Sequence, residues 1–251
     1  MSFVFKTNNF KIYKMEENLS SPKKTARLAG LLYLILAITG AFSMIYVPSN
    51  LIVYGDAAVT VQNILANKFL FRMGIVSGLA CQVLFIFLVL ELYKLLKVVN
   101  KKQAFQMVAL VVASVPIACL NMLNQFAVLL LLSGDHVNTF DLAQRNDLVM
   151  LFLDFSNYGI LIAELFWGLW LLPFGLLVIK SGFIPKILGI LLVIGFGCYL
   201  IEFLTKALSP EYANSVSMIV AAPMAISELA IVFWLLIKGV KEPQLLRSEV
   251  N

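Results

Sequence analysis

Six long runs of apolar residues divide this chain, and short polar stretches separate them. The runs cover residues 27–47, 70–95, 104–132, 148–179, 186–205 and 216–237. A helix needs about 20 apolar residues to cross a bilayer, and each run reaches that length. A helix satisfies its own backbone hydrogen bonds in lipid, whereas a membrane barrel shows alternating strands of about ten residues. The pattern therefore predicts an all-α fold, a polytopic bundle of six transmembrane helices.

The polar gaps also decide which side of the membrane each loop occupies. Fifteen of the 19 lysines and arginines fall on one side of the six runs, and only Lys68, Arg72, Arg145 and Lys206 fall on the other. Cytoplasmic loops carry the excess of positive charge, so we expect both termini in the cytoplasm. The sequence then divides into a cytoplasmic, disordered tail at 1–23, a membrane domain at 24–238 and a second cytoplasmic tail at 239–251.

The amino-acid composition limits the classes of molecule that we expect the protein to bind. Of the 251 residues, 61% are hydrophobic and only 13% are charged, whereas about a quarter are charged in soluble domains. The net charge of +5 would suit nucleic acid. However, the basic residues flank apolar runs instead of forming a patch, so we expect membrane lipids and no nucleic acid. Neither the oligomeric state nor the identity of a small molecule or ion follows from these numbers.

Two segments depart from the pattern of one membrane crossing per run, and each leads to a separate prediction. The fourth run is too long for one crossing, so we expect 160–179 in the membrane and a joint at Gly159. The outer gap after the first run contains a short helix at 57–67, begun by Asp56 as its N-cap. Asp56, Thr60 and Asn63 share one face of that helix. We expect this polar face to lie in water, and it is also a candidate site in the outer loop.

Polar side chains at spanning depth are the main candidates for function, because burying them in lipid is costly. Glu228 lies near the middle of the last run and is a candidate proton carrier or cation ligand. Most of the others fall in the outer half and suggest a polar cavity that opens away from the cytoplasm, in which Arg72 could pair with Glu164 or Glu202. The remaining members are the amides Asn121, Asn124 and Gln125. As the alternative, such amides only tie helices together.

Catalytic motifs and metal-binding patterns are not found. The three cysteines lie inside apolar runs, and His136 is the only histidine, so we expect no metal and no cofactor. No phosphate-binding loop, nucleophile elbow or HExxH motif occurs, and no catalytic residue is assigned. Trp167, Trp170 and Trp234 are interpreted as interface anchors and lipid-facing packing residues.

Several strings in the chain resemble the bacterial domain of unknown function family 4386, over about residues 24–208. They are Phe71 to Ser77 (FRMGIVS), Glu91 to Leu96 (ELYKLL), Phe166 to Gly175 (FWGLWLLPFG) and Lys180 to Gly189 (KSGFIPKILG). The resemblance implies an integral protein of the bacterial inner membrane with no established activity. Relatives often carry an acidic residue at Gly78 and histidines near Ser156 and at Trp170, so histidine-dependent chemistry is not carried over to this chain.

Three functions remain open from the sequence. The first is binding or transport of a small solute or cation through the outer cavity. The second is a noncatalytic accessory or assembly role. The third is an intramembrane enzyme that acts on a lipid or envelope substrate, although no nucleophile, base and orienting group come together in the sequence.

Overall fold

The computed structural model describes residues 21–133 and 140–240, and these residues form seven helices without a strand. The predicted tails at 1–23 and 239–251 fall largely outside the described residues, as does His136. In chain order the helices are α1 (Pro22–Leu51), α2 (Ala57–Ala66), α3 (Lys68–Leu96), α4 (Lys101–Ser133), α5 (Leu142–Ser181), α6 (Lys186–Leu208) and α7 (Pro210–Ile237). All except α2 are long and apolar enough to cross a membrane. The six predicted spans and the all-α bundle are confirmed.

Polar residues at the helix starts explain where several elements begin. The Ser21 hydroxyl accepts a hydrogen bond from the Lys24 backbone N–H at 3.3 Å, and Pro22 follows at the first helical position. Asp56 caps α2 as predicted, because its Oδ1 accepts from the Val59 N–H at 2.9 Å. At the start of α5, Asp141 and Gln144 form a reciprocal capping box.

The interruption of α5 lies at Trp170 and not at Gly159, so the predicted joint is wrong. The helix is continuous from Leu142 to Leu169 and resumes at Leu171. Pro173 has no backbone N–H and cannot bond to the carbonyl of Leu169, which explains the break one turn before it. Gly159 serves close packing instead, because a Cβ at this position would overlap the amide of Asn121.

Two apolar clusters fill the bundle, one near each end. We call one end the basic end, because Lys23, Lys97, Lys101, Lys180 and Lys238 lie at the helix ends there. Its cluster joins residues from α1, α3, α4, α5, α6 and α7. We call the other the α2 end, where a smaller cluster includes Leu51, Ile64, Phe71, Val128 and Val149. The helices therefore pack around one core at the basic end and around a second core at the α2 end.

Helix α1 packs against α3 along both halves and against α7 in its first half. A π-helical turn over Phe42–Tyr46 interrupts its regular α-helical hydrogen bonding. Before this turn, Gly30 lies so close to α7 that a Cβ there would approach the Leu236 backbone nitrogen to 2.6 Å. After it, Val47 packs against Gly74 of α3. This turn lies beside the cavity described next.

Candidate functional site

A cavity of about 90 Å³ lies between α1, α3, α4 and α5 in the half of the bundle nearer the α2 end. It extends from Pro48 and Tyr54 down to Gln82 and Trp167, near the middle of the bundle. One small residue on each of the four helices lines this space, and they are Gly40, Gly78, Ala118 and Ala163. Most of the wall is apolar, and the polar groups in it are uncharged amides, hydroxyls and an indole.

Two buried polar atoms on residues that line the cavity lack a hydrogen-bond partner among the described residues. They are the side-chain carbonyl oxygen of Gln82 and the indole N–H of Trp167. The Gln82 side chain belongs to a residue that is only 4% exposed, so water at the protein surface does not satisfy it. A buried unpaired polar group costs about 1–3 kcal/mol, and folded proteins retain few of them. One group is an acceptor and the other a donor, so a ligand that bonded to both would have to offer a donor and an acceptor.

The amides of α4 form another part of the wall. Asn121 donates from Nδ2 to the backbone carbonyl of Ser156 at 2.8 Å, and Asn124 donates to Asn121 Oδ1 at 2.9 Å. Gln125 donates to the Ser156 hydroxyl at 3.4 Å. The cavity is lined by Asn121, Gln125 and Ser156. Asn124 does not line it and contacts Asn121 through the hydrogen bond between their side chains. These bonds join α4 to α5 and fix the position of the wall.

The charged candidates form a separate cluster outside the cavity. Lys206 lies 2.9 Å from Glu202 and 3.4 Å from Glu164, so it bridges α6 and α5. Ser217 of α7 donates to Glu202 at 2.8 Å. The expected pairing of Arg72 with these glutamates is wrong, because Lys206 is their cation and Arg72 is exposed. Hydropathy identified the charges but not which helices are neighbours.

Glu228 also lies away from the cavity, in a contact between α1, α6 and α7. Tyr33 donates a hydrogen bond to Glu228 Oε2 at 2.5 Å, and Tyr199 donates to Oε1 at 2.8 Å. Tyr33 packs against Trp170, whose ring also stacks on Phe174. The cavity and the carboxylate predicted to lie in one site are therefore two sites.

The polar face of α2 points into the protein instead of into water, which corrects the expectation for Thr60. This residue is fully buried, and its hydroxyl accepts from the Val53 N–H at 2.9 Å and donates to the Val53 carbonyl at 3.1 Å. Asn63 donates to the Leu51 carbonyl at 3.3 Å, and Asp56 is the exposed N-cap. Thr60 and Asn63 therefore hold α2 against the end of α1.

Sequence reasoning missed Trp167 as a cavity residue and misplaced Trp170. Trp170 is 2% exposed and belongs to an aromatic stack with Phe85 and Phe174, so it is not an interface anchor. Gln82 could have been given more weight, because it is an amide deep in an otherwise apolar run. Nothing in the sequence around Trp167 distinguishes a cavity-facing indole from one that faces lipid.

The placement of the possible metal ligands does not support a metal-binding site. No group of three or more His, Cys, Asp or Glu residues that could hold a metal ion occurs in the described part of the chain. The three cysteines are free thiols in α3, α4 and α6.

Comparison with known proteins identifies a family without a known activity. A family model described as Domain of unknown function (DUF4386) matches residues 28–239. The matched range contains all six long helices almost completely and confirms the resemblance seen in the sequence. No curated protein and no solved structure matches the chain.

Proposed function

The chain belongs to the family Domain of unknown function (DUF4386), and from its cavity we propose that this membrane protein binds a small uncharged solute. The observation that carries the proposal is the pair of unpartnered groups in the wall, the Gln82 carbonyl and the Trp167 N–H. A ligand with both a donor and an acceptor, such as an alcohol or a primary amide, satisfies both groups and recovers their desolvation cost.

The chemistry of the wall supports an uncharged ligand. Within residues 21–133 and 140–240, no Asp, Glu, Lys, Arg or His lines the cavity. A cation or an anion bound there would lack a counter-charge in a low-dielectric environment, which is strongly unfavourable. The nearby charges of Glu164, Glu202 and Lys206 already compensate one another in part. Of the two ligand classes expected from the sequence, the solute therefore fits this cavity and the cation does not.

The size of the cavity limits the ligand to a few heavy atoms. A dry cavity of about 150 Å³ is known to accommodate benzene, and a single water needs about 10–15 Å³. The cavity here measures about 90 Å³. It therefore has room for a molecule smaller than benzene, or for several waters.

For location, we propose the bacterial cytoplasmic membrane, with both termini on the cytoplasmic side. The support is the concentration of lysines at the basic end together with the positive-inside tendency. The cavity then lies in the outer half of the membrane. Single cysteines replacing Lys97 and Lys68 in a cysteine-free background test this orientation in intact cells with a membrane-impermeant thiol reagent. We expect labelling at position 68 and not at 97, and the reverse pattern would refute the proposed orientation.

The binding proposal is tested by thermal unfolding of the purified protein with glycerol, propanol or acetamide as uncharged probes. A ligand that binds only the folded state raises the unfolding midpoint. We expect at least one of these probes to raise the midpoint of the wild type and not that of Gln82→Met, which keeps the side-chain shape but removes the carbonyl. Acetate and ethylammonium serve as charged probes and are expected to have no effect. Gln106→Met, at an exposed position of α4, is the matched control.

Two results would contradict solute binding. Equal stabilisation of the wild type and Gln82→Met would place the effect outside the cavity, and stabilisation by the charged probes alone would exclude a neutral site. In a third outcome, no probe raises the unfolding midpoint and untargeted native mass spectrometry detects no bound ligand other than water. The hydrogen bonds from the α4 amides to α5 would then have only a packing role. That outcome favours the accessory function over binding, because Asn121 and Gln125 already tie the two helices together.

A further inference from the structure

The contact of Glu228 with two tyrosines is independent of the cavity and has a different chemistry. Each carboxylate oxygen accepts one hydrogen bond, from Tyr33 of α1 at 2.5 Å and from Tyr199 of α6 at 2.8 Å. Glu228 itself belongs to α7, so the three hydrogen-bonding groups come from three helices. The residue is near the middle of the bundle and not at a helix end.

The cations nearest to this contact along α1 and α6 are engaged elsewhere. On α1, Arg27 donates to the Ile237 carbonyl at 3.4 Å, and Ile237 lies nine residues, or about 13 Å, along α7 from Glu228. On α6, Lys206 bonds to Glu202 and to Glu164 of α5. It lies seven residues, or about 10 Å, beyond Tyr199 along α6. The other titratable side chain of α6 in this region is the free thiol of Cys198.

In the described part of the chain, no cation therefore contacts the Glu228 carboxylate. An ionised carboxylate at membrane depth without a counter-charge is unfavourable by several kcal/mol. Two tyrosine hydroxyls lessen this cost but carry no positive charge. A metal ion is a poor substitute, because these positions offer one carboxylate and two phenols and no cluster of acidic, cysteine or histidine ligands. A proton neutralises the charge without needing further ligands.

We propose that Glu228 is a proton-binding site, at which the carboxylate takes up a proton from water and releases it again. In the ionised form both tyrosines donate to the carboxylate across the oxygen–oxygen distances given above. In the protonated form the new carboxyl O–H donates to one tyrosine oxygen, and the other tyrosine continues to donate to the remaining carboxyl oxygen. A phenol is both a donor and an acceptor, so Tyr33 and Tyr199 can remain hydrogen-bonded to Glu228 in its ionised and in its protonated form.

The direct test is infrared difference spectroscopy of the full-length purified protein in lipid, titrated between about pH 4 and about pH 9. We expect the wild type to show the carbonyl band of a protonated carboxylic acid that appears and disappears reversibly, and Glu228→Gln to lose it. Glu202→Gln is the control, because Glu202 is partnered by Lys206 and Ser217, and it is expected to keep the band. The Gln82→Met variant should also keep it, since the proton site does not depend on solute binding.

Tyrosine variants keep the test decisive if Glu228→Gln does not fold. Tyr33→Phe and Tyr199→Phe each remove one hydrogen bond from the carboxyl group and are expected to shift the frequency of the band. Tyr212→Phe, at an exposed position, is expected to leave the frequency unchanged. The proposal is overturned if the wild type shows no such band across the titration, if Glu228→Gln retains it, or if neither tyrosine variant changes its frequency.

Discussion

Buried polar side chains occur in two regions of this bundle, and the regions differ in whether these side chains have partners. Around α6, the carboxylates of Glu164, Glu202 and Glu228 all have hydrogen-bond or ionic partners. In the cavity between α1, α3, α4 and α5, Gln82 and Trp167 have unpaired polar atoms. Leaving a charge without a partner in a low-dielectric interior costs much more than leaving a neutral group unpaired. The comparison teaches that a membrane bundle can tolerate unpaired neutral groups on residues that line a cavity, whereas its charges must be paired or neutralised.

The largest effect on this comparison is expected from removing the cation of the α6 region. Lys206→Met leaves Glu164 and Glu202 without their ion-pair partner, and we expect the free energy of unfolding to fall by about 3 kcal/mol. Unfolding in mixed detergent measures this change. Adding Glu164→Gln and Glu202→Gln to the same protein removes the uncompensated charges and should restore most of the loss. Lys68→Met, exposed at the α2 end, is the control and should change stability by less than about 0.5 kcal/mol.

No recovery in the triple variant would mean that Lys206 stabilises the protein through its packing and not through charge compensation. The contrast between the two regions would then be one of packing alone.

A smaller effect is expected from tightening the packing on α6. A Cβ at Gly189 would meet the Gly175 carbonyl oxygen at 2.6 Å and the Ile179 backbone nitrogen at 2.9 Å. Because backbone cannot move aside cheaply, Gly189→Ala should lower the free energy of unfolding by about 1–3 kcal/mol. At Gly197, on the same helix, a Cβ would meet no atom of the described residues within 4 Å. Gly197→Ala should therefore be neutral, or stabilising by up to about 1 kcal/mol through helix propensity.

Equal destabilisation by Gly189→Ala and Gly197→Ala would contradict the close approach of α5 and α6 at Gly175.

The smallest effect has the opposite sign and concerns the cavity. Gln82→Met replaces a buried unpaired carbonyl by a thioether of similar shape, and we expect it to stabilise the unliganded protein by about 1 kcal/mol. Chemical unfolding without added probe measures this gain. Asn121→Leu serves as the contrast, because it breaks the bond to Ser156 and should destabilise the protein. A loss of stability in Gln82→Met would show that its carbonyl has a partner and that the cavity does not need a ligand.

Hydropathy and charge predicted the six long helices, the cap at Asp56 and the unusual position of Glu228, because each depends on local sequence. The lateral arrangement of the helices was not predictable in this way. The partner of Glu164 is Lys206, 42 residues away, and the partner of Glu228 is Tyr33, 195 residues away. Apolar runs of similar composition do not specify which helices are neighbours. The inward orientation of Thr60 was missed for the same reason, because it depends on how α2 folds back onto Val53.

The π-helical turn over Phe42–Tyr46 has a geometric consequence for α1. One surplus residue in a helix offsets everything after it by about 100° around the axis. Tyr33, before the turn, faces Glu228, whereas Gly40, Ser43 and Val47, farther along the same helix, line the cavity. A single rod is thus shared by two chemically distinct neighbourhoods.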